Sequence, residues 1–228
     1  DASSGRKTYQ YKATLKEFIK RYATKAPDTK IGMIGELISH ILFLKYFESF
    51  DTVSPYFNNE ERSIKKGFDI ILYNTTNQEI WITEVKSGHK HQDKDSNQTI
   101  YDLLGTAKYD LKERLNENNA ALWKNAIVGV KTVLENFNDK KEAVKNILEN
   151  IQDEVSSKRS ISNDKNVILV STLFNTLNDQ VIHLTPETFA KKLKSEALFK
   201  TEIVIAIQKE TYKRIEDFLY KEDSINDE

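Results

Sequence analysis

Four side chains in this sequence are of types that could do chemistry together: Glu36, Asp69, Glu84 and Lys86. Asp69 interrupts an apolar run in KKGFDIILYN, and Glu84 and Lys86 flank Val85 in EIWITEVKSG. If the two runs close as a hairpin with Thr76 and Asn77 at the tip, Asp69 falls opposite Glu84 across the ladder. Slipping the register by two residues still keeps Asp69, Glu84 and Lys86 on one face, because side chains alternate with period two. Two carboxylates opposed in a half-buried place repel, and each resists ionising. A divalent cation relieves that repulsion. Mg²⁺, or Mn²⁺ in its place, takes hard oxygen ligands such as Asp69, Glu84 and the Val85 carbonyl. Such an ion makes water acidic enough to act as a nucleophile. Lys86 would then orient the water or stabilise charge developing on a phosphate. The plainer alternative is an ion pair at the solvated end of a sheet. Gly67 before the first run, and Ser87-Gly88 after the second, tilt the reading toward a site.

Glu36 supplies a third carboxylate. It follows Gly35 in a segment whose apolar positions, Ile34, Leu37, Ile38, Ile41, Leu42 and Leu44, predict a broad-faced and mostly buried helix over 31–47. A Glu at such a position is rarely buried unless paired or metal-bound; otherwise it sits on the helix rim. Around this centre the elements are expected as follows. Tyr11, Leu15, Phe18, Ile19 and Tyr22 predict an amphipathic helix over 8–24, ended by Pro27 and Asp28. The strands fall within 64–86, joined by NTTNQ. Ser96 is expected to cap a helix carrying Ile100, Leu103, Leu104, Ala107 and Leu111. Residues 118–160 read as helical in two pieces broken near NFND. NVILVSTLF reads as a central strand, TPETFAKKLKSE as a helix capped by Thr185 with Pro186 in its first turn, TEIVIAIQ as a further strand and KETYKRIEDFLY as a closing helix. Helices and strands alternate after an early hairpin, so the expected fold is α/β, with a sheet covered by helices on both faces.

The chain has 228 residues, 39% of them hydrophobic, enough to bury a large core. With seven Gly, three Pro and no linker-like stretch, a single domain over 1–228 is expected, with a motif-bearing core at 31–116, a helical insertion at 118–160 and the remaining strands and helices at 165–221. The absence of Cys excludes disulfides and thiolate metal sites, and a cytoplasmic location is the simplest expectation. The longest apolar stretch, LISHILFLKYF, is too short to cross a bilayer, so no membrane role is expected. The chain opens DASSGRKTYQ without Met, and the natural start is expected to lie upstream or to have been trimmed. A net charge of −1 gives no overall electrostatic case for nucleic acid, although a local basic groove would suffice to hold phosphates. No glycine-rich phosphate loop is present, so a nucleotide-driven motor would have to lie on another chain.

Gly35-Glu36 on a helix, Gly67-Phe68-Asp69 on a strand and Glu84-Val85-Lys86 on its partner resemble the PD-(D/E)xK nuclease superfamily. More narrowly, IGELISHILFLKYF, KKGFDIILYN and EIWITEVKSG resemble the nuclease-subunit domain of Hachiman antiphage defence, the HamA-like family. The resemblance implies a restriction-endonuclease-like core: a helix, a three-stranded meander, a helix and a further strand, built on a mixed sheet, here with added helices. It implies that Glu36, Asp69 and Glu84 hold Mg²⁺ or Mn²⁺, that Lys86 assists, and that a phosphodiester of DNA is cut to leave a 5′-phosphate and a 3′-hydroxyl. A helicase subunit with ATPase activity is the implied partner. No Pro precedes Asp69, where Gly67-Phe68 stands instead, and Gln98-Thr99-Ile100-Tyr101 departs from the QxxxY of one branch of the superfamily.

Other residues admit a role in holding substrate. Lys90 and Lys94 lie just beyond the proposed site and, with Gln98, are candidates to touch a phosphate backbone. His89 and His91, in so polar a loop, read as solvated surface rather than metal ligands, and His40 as a hydrogen-bonded neighbour of the core. The Tyr-rich first helix, interleaved with Lys12, Lys16, Lys20 and Arg21, reads as core packing in preference to a base-stacking platform. Two functions therefore stand: a metal-dependent nuclease, or an inactive subunit of the same fold that binds DNA or a helicase.

Overall fold

The computed structural model describes residues 11–55, 67–117, 119–159 and 161–224. Residues 8–10 and 64–66, included in the expected first helix and first strand, lie outside that range. The order is α1 (Tyr11–Ala23), α2 (Pro27–Tyr46), β1 (Phe50–Thr52), β2 (Ile70–Asn74), β3 (Glu79–His89), α3 (Ser96–Asn116), α4 (Ala120–Val133), α5 (Asn138–Ser156), β4 (Asn166–Phe174), α6 (Leu184–Glu196), β5 (Thr201–Lys209) and α7 (Lys213–Ser224). The sheet runs β1-β2-β3-β4-β5. Its first three strands are antiparallel, and β3, β4 and β5 are parallel. This is the expected α/β architecture, a five-stranded mixed sheet between helices.

The β2–β3 register is the one counted from the tip: Ile70 pairs with Thr83, Ile71 with Ile82 and Leu72 with Trp81. Its turn is made by Asn74, whose Oδ1 accepts from the Thr76 and Asn77 amides at 2.9 and 3.3 Å, and by Gln78 at φ 57°. A side chain that mimics a backbone acceptor closes such a turn without glycine. Period-two alternation then divides the hairpin. Ile71, Tyr73, Ile80 and Ile82 face a large core formed with β4, α3, α4, α5 and α6. Ile70, Leu72, Trp81 and Val85 face the opposite way, over Phe43 of α2. Every residue of β4 is buried, as a continuous apolar run in a central parallel strand requires.

α3 positions part of the site. Ile100, Leu104, Ala107, Leu111 and Leu115 are all fully or almost fully buried along one face. The four large side chains together contribute roughly 6–12 kcal/mol of gross burial energy, which fixes the helix on the sheet. Its start differs from expectation. The cap is Asp95, not Ser96: Asp95 accepts from the Gln98 amide at 2.8 Å while the Gln98 side chain accepts from the Asp95 amide at 3.0 Å. A carboxylate one residue earlier completes a reciprocal capping box, which a Ser at 96 would not. α6 likewise starts at Leu184 after His183, so Thr185 lies inside its first turn, where its hydroxyl donates to Asn97 Oδ1 at 2.7 Å.

Two further expectations change. α2 is not mostly buried: Ile41 and Leu44 are 51% and 64% exposed, because among the described residues its C-terminal half is covered by the sheet on one side alone. β1, which no sequence period announced, pairs through three residues and is followed by Val53, whose amide donates to the Ile71 carbonyl at 2.9 Å. β1 completes the three-stranded meander implied by the resemblance. Leu15, Phe18, Ile19 and Tyr22 of α1 pack against Ile31 and Ile34 of α2 and Leu219 of α7, the core role preferred from the sequence. No helix among the described residues is long and apolar enough to cross a membrane.

Candidate active site

Asp69 stands one residue before β2, opposite Glu84, and its Oδ2 accepts the Val85 amide at 2.7 Å. In an antiparallel pair, a residue's N–H and C=O point to the same side, so the Val85 carbonyl is directed to the edge where Asp69 lies. Glu84 is fully buried. Lys86, on the same face, reaches Glu84 Oε1 at 2.9 Å and Asp110 Oδ2 of α3 at 2.7 Å. The strands thus bring Asp69, Glu84, the Val85 backbone and Lys86 to one end of the hairpin.

Glu36 arrives through its glycine neighbour. A Cβ on Gly35 would fall 1.7 Å from Ser87 Oγ and 2.7 Å from Ser87 Cβ, so α2 can lie against β3 at this point only because residue 35 lacks one. The contact carries Glu36 into the field of Glu84 and Lys86. Burial and then the Glu84 charge push the Glu36 carboxyl up to about 7, against the pull of Lys86. Asp69 is pushed well above the ordinary aspartate range, by burial first and then by Glu84 and Glu36, although the Val85 amide and Arg114 oppose the shift. Burial works against the Lys86 ammonium, but Glu84 and Asp110 outweigh it and hold its pKa above the ordinary lysine value. Lys86 is therefore a fixed cation at neutral pH rather than a proton acceptor.

Two members of the cluster went unnoticed in the sequence. Arg114 of α3 forks onto Glu84, Nη1 to Oε2 at 2.9 Å and Nη2 to Oε1 at 3.2 Å, and Nη1 also donates to the Gly67 carbonyl at 3.1 Å. Asp110, one turn earlier, holds Lys86. Both lie three residues beyond a buried apolar position, Ala107 and Leu111, which is the one sequence signal that could have marked them as facing the sheet margin.

The donor set suits a hard divalent cation. Four carboxylates, Glu36, Asp69, Glu84 and Asp110, face two cations, Lys86 and Arg114. Burial and the neighbouring carboxylates raise the pKa of both Glu36 and Asp69, which is where the uncompensated negative charge lies. Oxygen-only donors and a deficit of two charges match Mg²⁺ or Mn²⁺. Among the described residues, no three His, Asp or Glu side chains are drawn together tightly enough to enclose an ion.

The substrate-holding candidates are not gathered here. β3 runs on to His89, which puts Lys90 about 20 Å along the strand direction from Glu84. Lys90 pairs with Asp179 at 3.4 Å, Lys94 with Asp102 at 2.6 Å, and Gln98 serves the α3 capping box. His89 lies within 3.1 Å of the Phe174 carbonyl and packs beside Phe174 and Tyr212, a structural setting. Burial depresses the His40 pKa to about 4.

No curated protein and no solved structure matches the chain. The family model for HamA does, over residues 2–225. With nearly its whole length covered, and with the helix, meander, helix and strand order in place, the chain belongs to the HamA family, the Hachiman antiphage-defence subunit.

Proposed function

We propose that this subunit is a Mg²⁺- or Mn²⁺-dependent nuclease that hydrolyses phosphodiester bonds of DNA beside a helicase subunit. The observation that supports it best is the convergence of Asp69, Glu84 and Lys86 on one face of the β2–β3 hairpin, with Glu36 brought to them by the Gly35–Ser87 contact. In this reading, Asp69, Glu36, the Val85 carbonyl and Glu84 would hold the ion. Bound there, it would supply Lewis acidity to the scissile phosphate and to the attacking water. The chain's own residues do the rest. The buried carboxylates fix the geometry, and the Lys86 ammonium, kept charged by Glu84 and Asp110, faces the anionic phosphate and stabilises charge as it develops there. Asp110 positions Lys86 through their ion pair.

The competing reading is an inactive subunit that holds DNA or a helicase. It draws on the Arg114 fork, which occupies both Glu84 oxygens, and on the absence of a closed carboxylate triad among the described residues. A cleavage assay separates the two, with Mg²⁺ and with Mn²⁺, on single- and double-stranded DNA, alone and with the helicase. Metal-dependent cutting by the wild-type chain that is lost in Glu84→Gln and Lys86→Ala supports the nuclease. DNA or helicase binding with no cutting under any metal supports the inactive subunit.

A further inference from the structure

Arg114 lies in the same cluster as the carboxylates but has no role in the nuclease reading. Its guanidinium forks onto Glu84 at 2.9 and 3.2 Å, and Lys86 adds a third hydrogen bond to Glu84 Oε1 at 2.9 Å. A carboxylate offers about four lone-pair positions, two on each oxygen. Arg114 and Lys86 fill both on Oε1 and one on Oε2. Among the described residues, only one direction on Oε2 stays open, and an ion seated there would stand directly beside Nη1. Asp69 and Glu36 differ: Asp69 receives the Val85 amide, and the cations whose charge acts on them, Arg114 on Asp69 and Lys86 on Glu36, are both bonded to Glu84. The metal's expected ligands thus fall into two open carboxylates and one that is closed by a cation of the chain itself. The third Arg114 contact, to the Gly67 carbonyl just before Asp69, ties the same guanidinium to the loop that carries the other carboxylate.

Resting on the metal-dependent reading, we propose that Arg114 is a displaceable counter-ion: it occupies the place of the metal on Glu84, and its fork must open for the ion to gain its full set of ligands. α3 then carries a built-in competitor for the metal, and anything that draws Arg114 away, such as a phosphate of bound DNA, favours loading. Arginine suits this exchange because the same planar fork recognises carboxylate and phosphate.

The test measures Mn²⁺ binding to the full chain by titration calorimetry, without substrate, for wild type, Arg114→Gln, Arg114→Lys and Asp69→Asn. Removing a unit charge a few ångströms from the ion should tighten binding at least about tenfold in Arg114→Gln. Arg114→Lys, which keeps the charge, should stay near wild type. A folded Arg114→Gln with wild-type or weaker affinity overturns the proposal. An independent readout needs no variant: the Arg114 side-chain NMR signal of wild type should move to solvent-exposed exchange behaviour at saturating Mg²⁺, and an unchanged signal overturns the proposal. If wild type binds metal and Asp69→Asn abolishes it while Arg114→Gln changes nothing, this inference alone fails. If neither wild type nor Arg114→Gln binds metal, the metal reading falls with it.

Discussion

Replacing Gly35 by Ala tests how Glu36 comes to the site. The new Cβ would lie 2.7 Å from Ser87 Cβ, about 0.7 Å inside ordinary contact at 3.4 Å. The Ser87 hydroxyl, 1.7 Å away, can rotate, but its Cβ is fixed to the β3 backbone and cannot. Either α2 withdraws by most of that distance or β3 bends, and overpacking of this kind costs about 2 kcal/mol. For a chain of this length, that lowers the melting temperature by about 4–8 °C. The functional loss should be larger than the stability loss suggests. Glu36 rides on the next residue, and a displacement approaching 1 Å in a catalytic constellation costs about a hundredfold in rate. Chemical denaturation and metal-dependent cleavage should be measured on Gly35→Ala, Ser87→Gly and the double variant. Ser87→Gly removes both clashing atoms, so the double variant should recover most of the activity lost by Gly35→Ala. If Gly35→Ala keeps wild-type stability and cleavage, the close helix–strand contact is not what delivers Glu36. If the double variant gains nothing, the clash was not the cause.

The pH dependence of stability has a defined sign. The Glu36 carboxyl titrates near 7 in the folded chain and near 4.5 unfolded, so the folded state binds its proton more tightly. Its contribution is fully present below pH 4.5, and as pH rises through 7 it is lost. In a chelator, melting temperature should therefore fall between pH 5 and pH 8, and less steeply in Glu36→Gln. If the proposed site binds Mg²⁺, saturating Mg²⁺ should reverse the trend, since a metal held there would require the deprotonated carboxylates. A chelated wild type as pH-sensitive as Glu36→Gln would refute the assignment. Asp95→Ala should cost about 1 kcal/mol through the lost capping box and leave cleavage intact, as circular-dichroism melts and the cleavage assay can check.

The strand half of the site was legible because its information is local. Asp69 meets Glu84 by counting outward from Thr76 and Asn77, and period two puts Lys86 beside them. β4 and β5 were also legible, the first from a nine-residue apolar run and the second from TEIVIAIQ. β1 was not: three half-buried residues, Phe50, Asp51 and Thr52, carry too little periodicity to register. Asp110 and Arg114 escaped for a different reason. Opposite charges four apart on a helix read as a local surface pair, and nothing along α3 itself says that each reaches a strand residue, Lys86 or Glu84. The exposed Ile41 and Leu44 were misread because a broad apolar face says how much surface a helix has to cover, not how much the fold covers.

β3 has a consequence for folding kinetics. It belongs to two ladders at once, an antiparallel one closed by the turn at 75–78 and a parallel one reached only after the long crossover that carries α3, α4 and α5. Closing that crossover costs about 2–3 kcal/mol more in chain entropy than closing the turn. The hairpin can thus zip first and set Asp69 against Glu84 while β4 is still unpaired. Lys86 is present from that moment, but Arg114 and Asp110 come only with the docking of α3. Substitutions in the Asn74–Gln78 turn should slow folding, whereas changes at Arg114 should mainly speed unfolding.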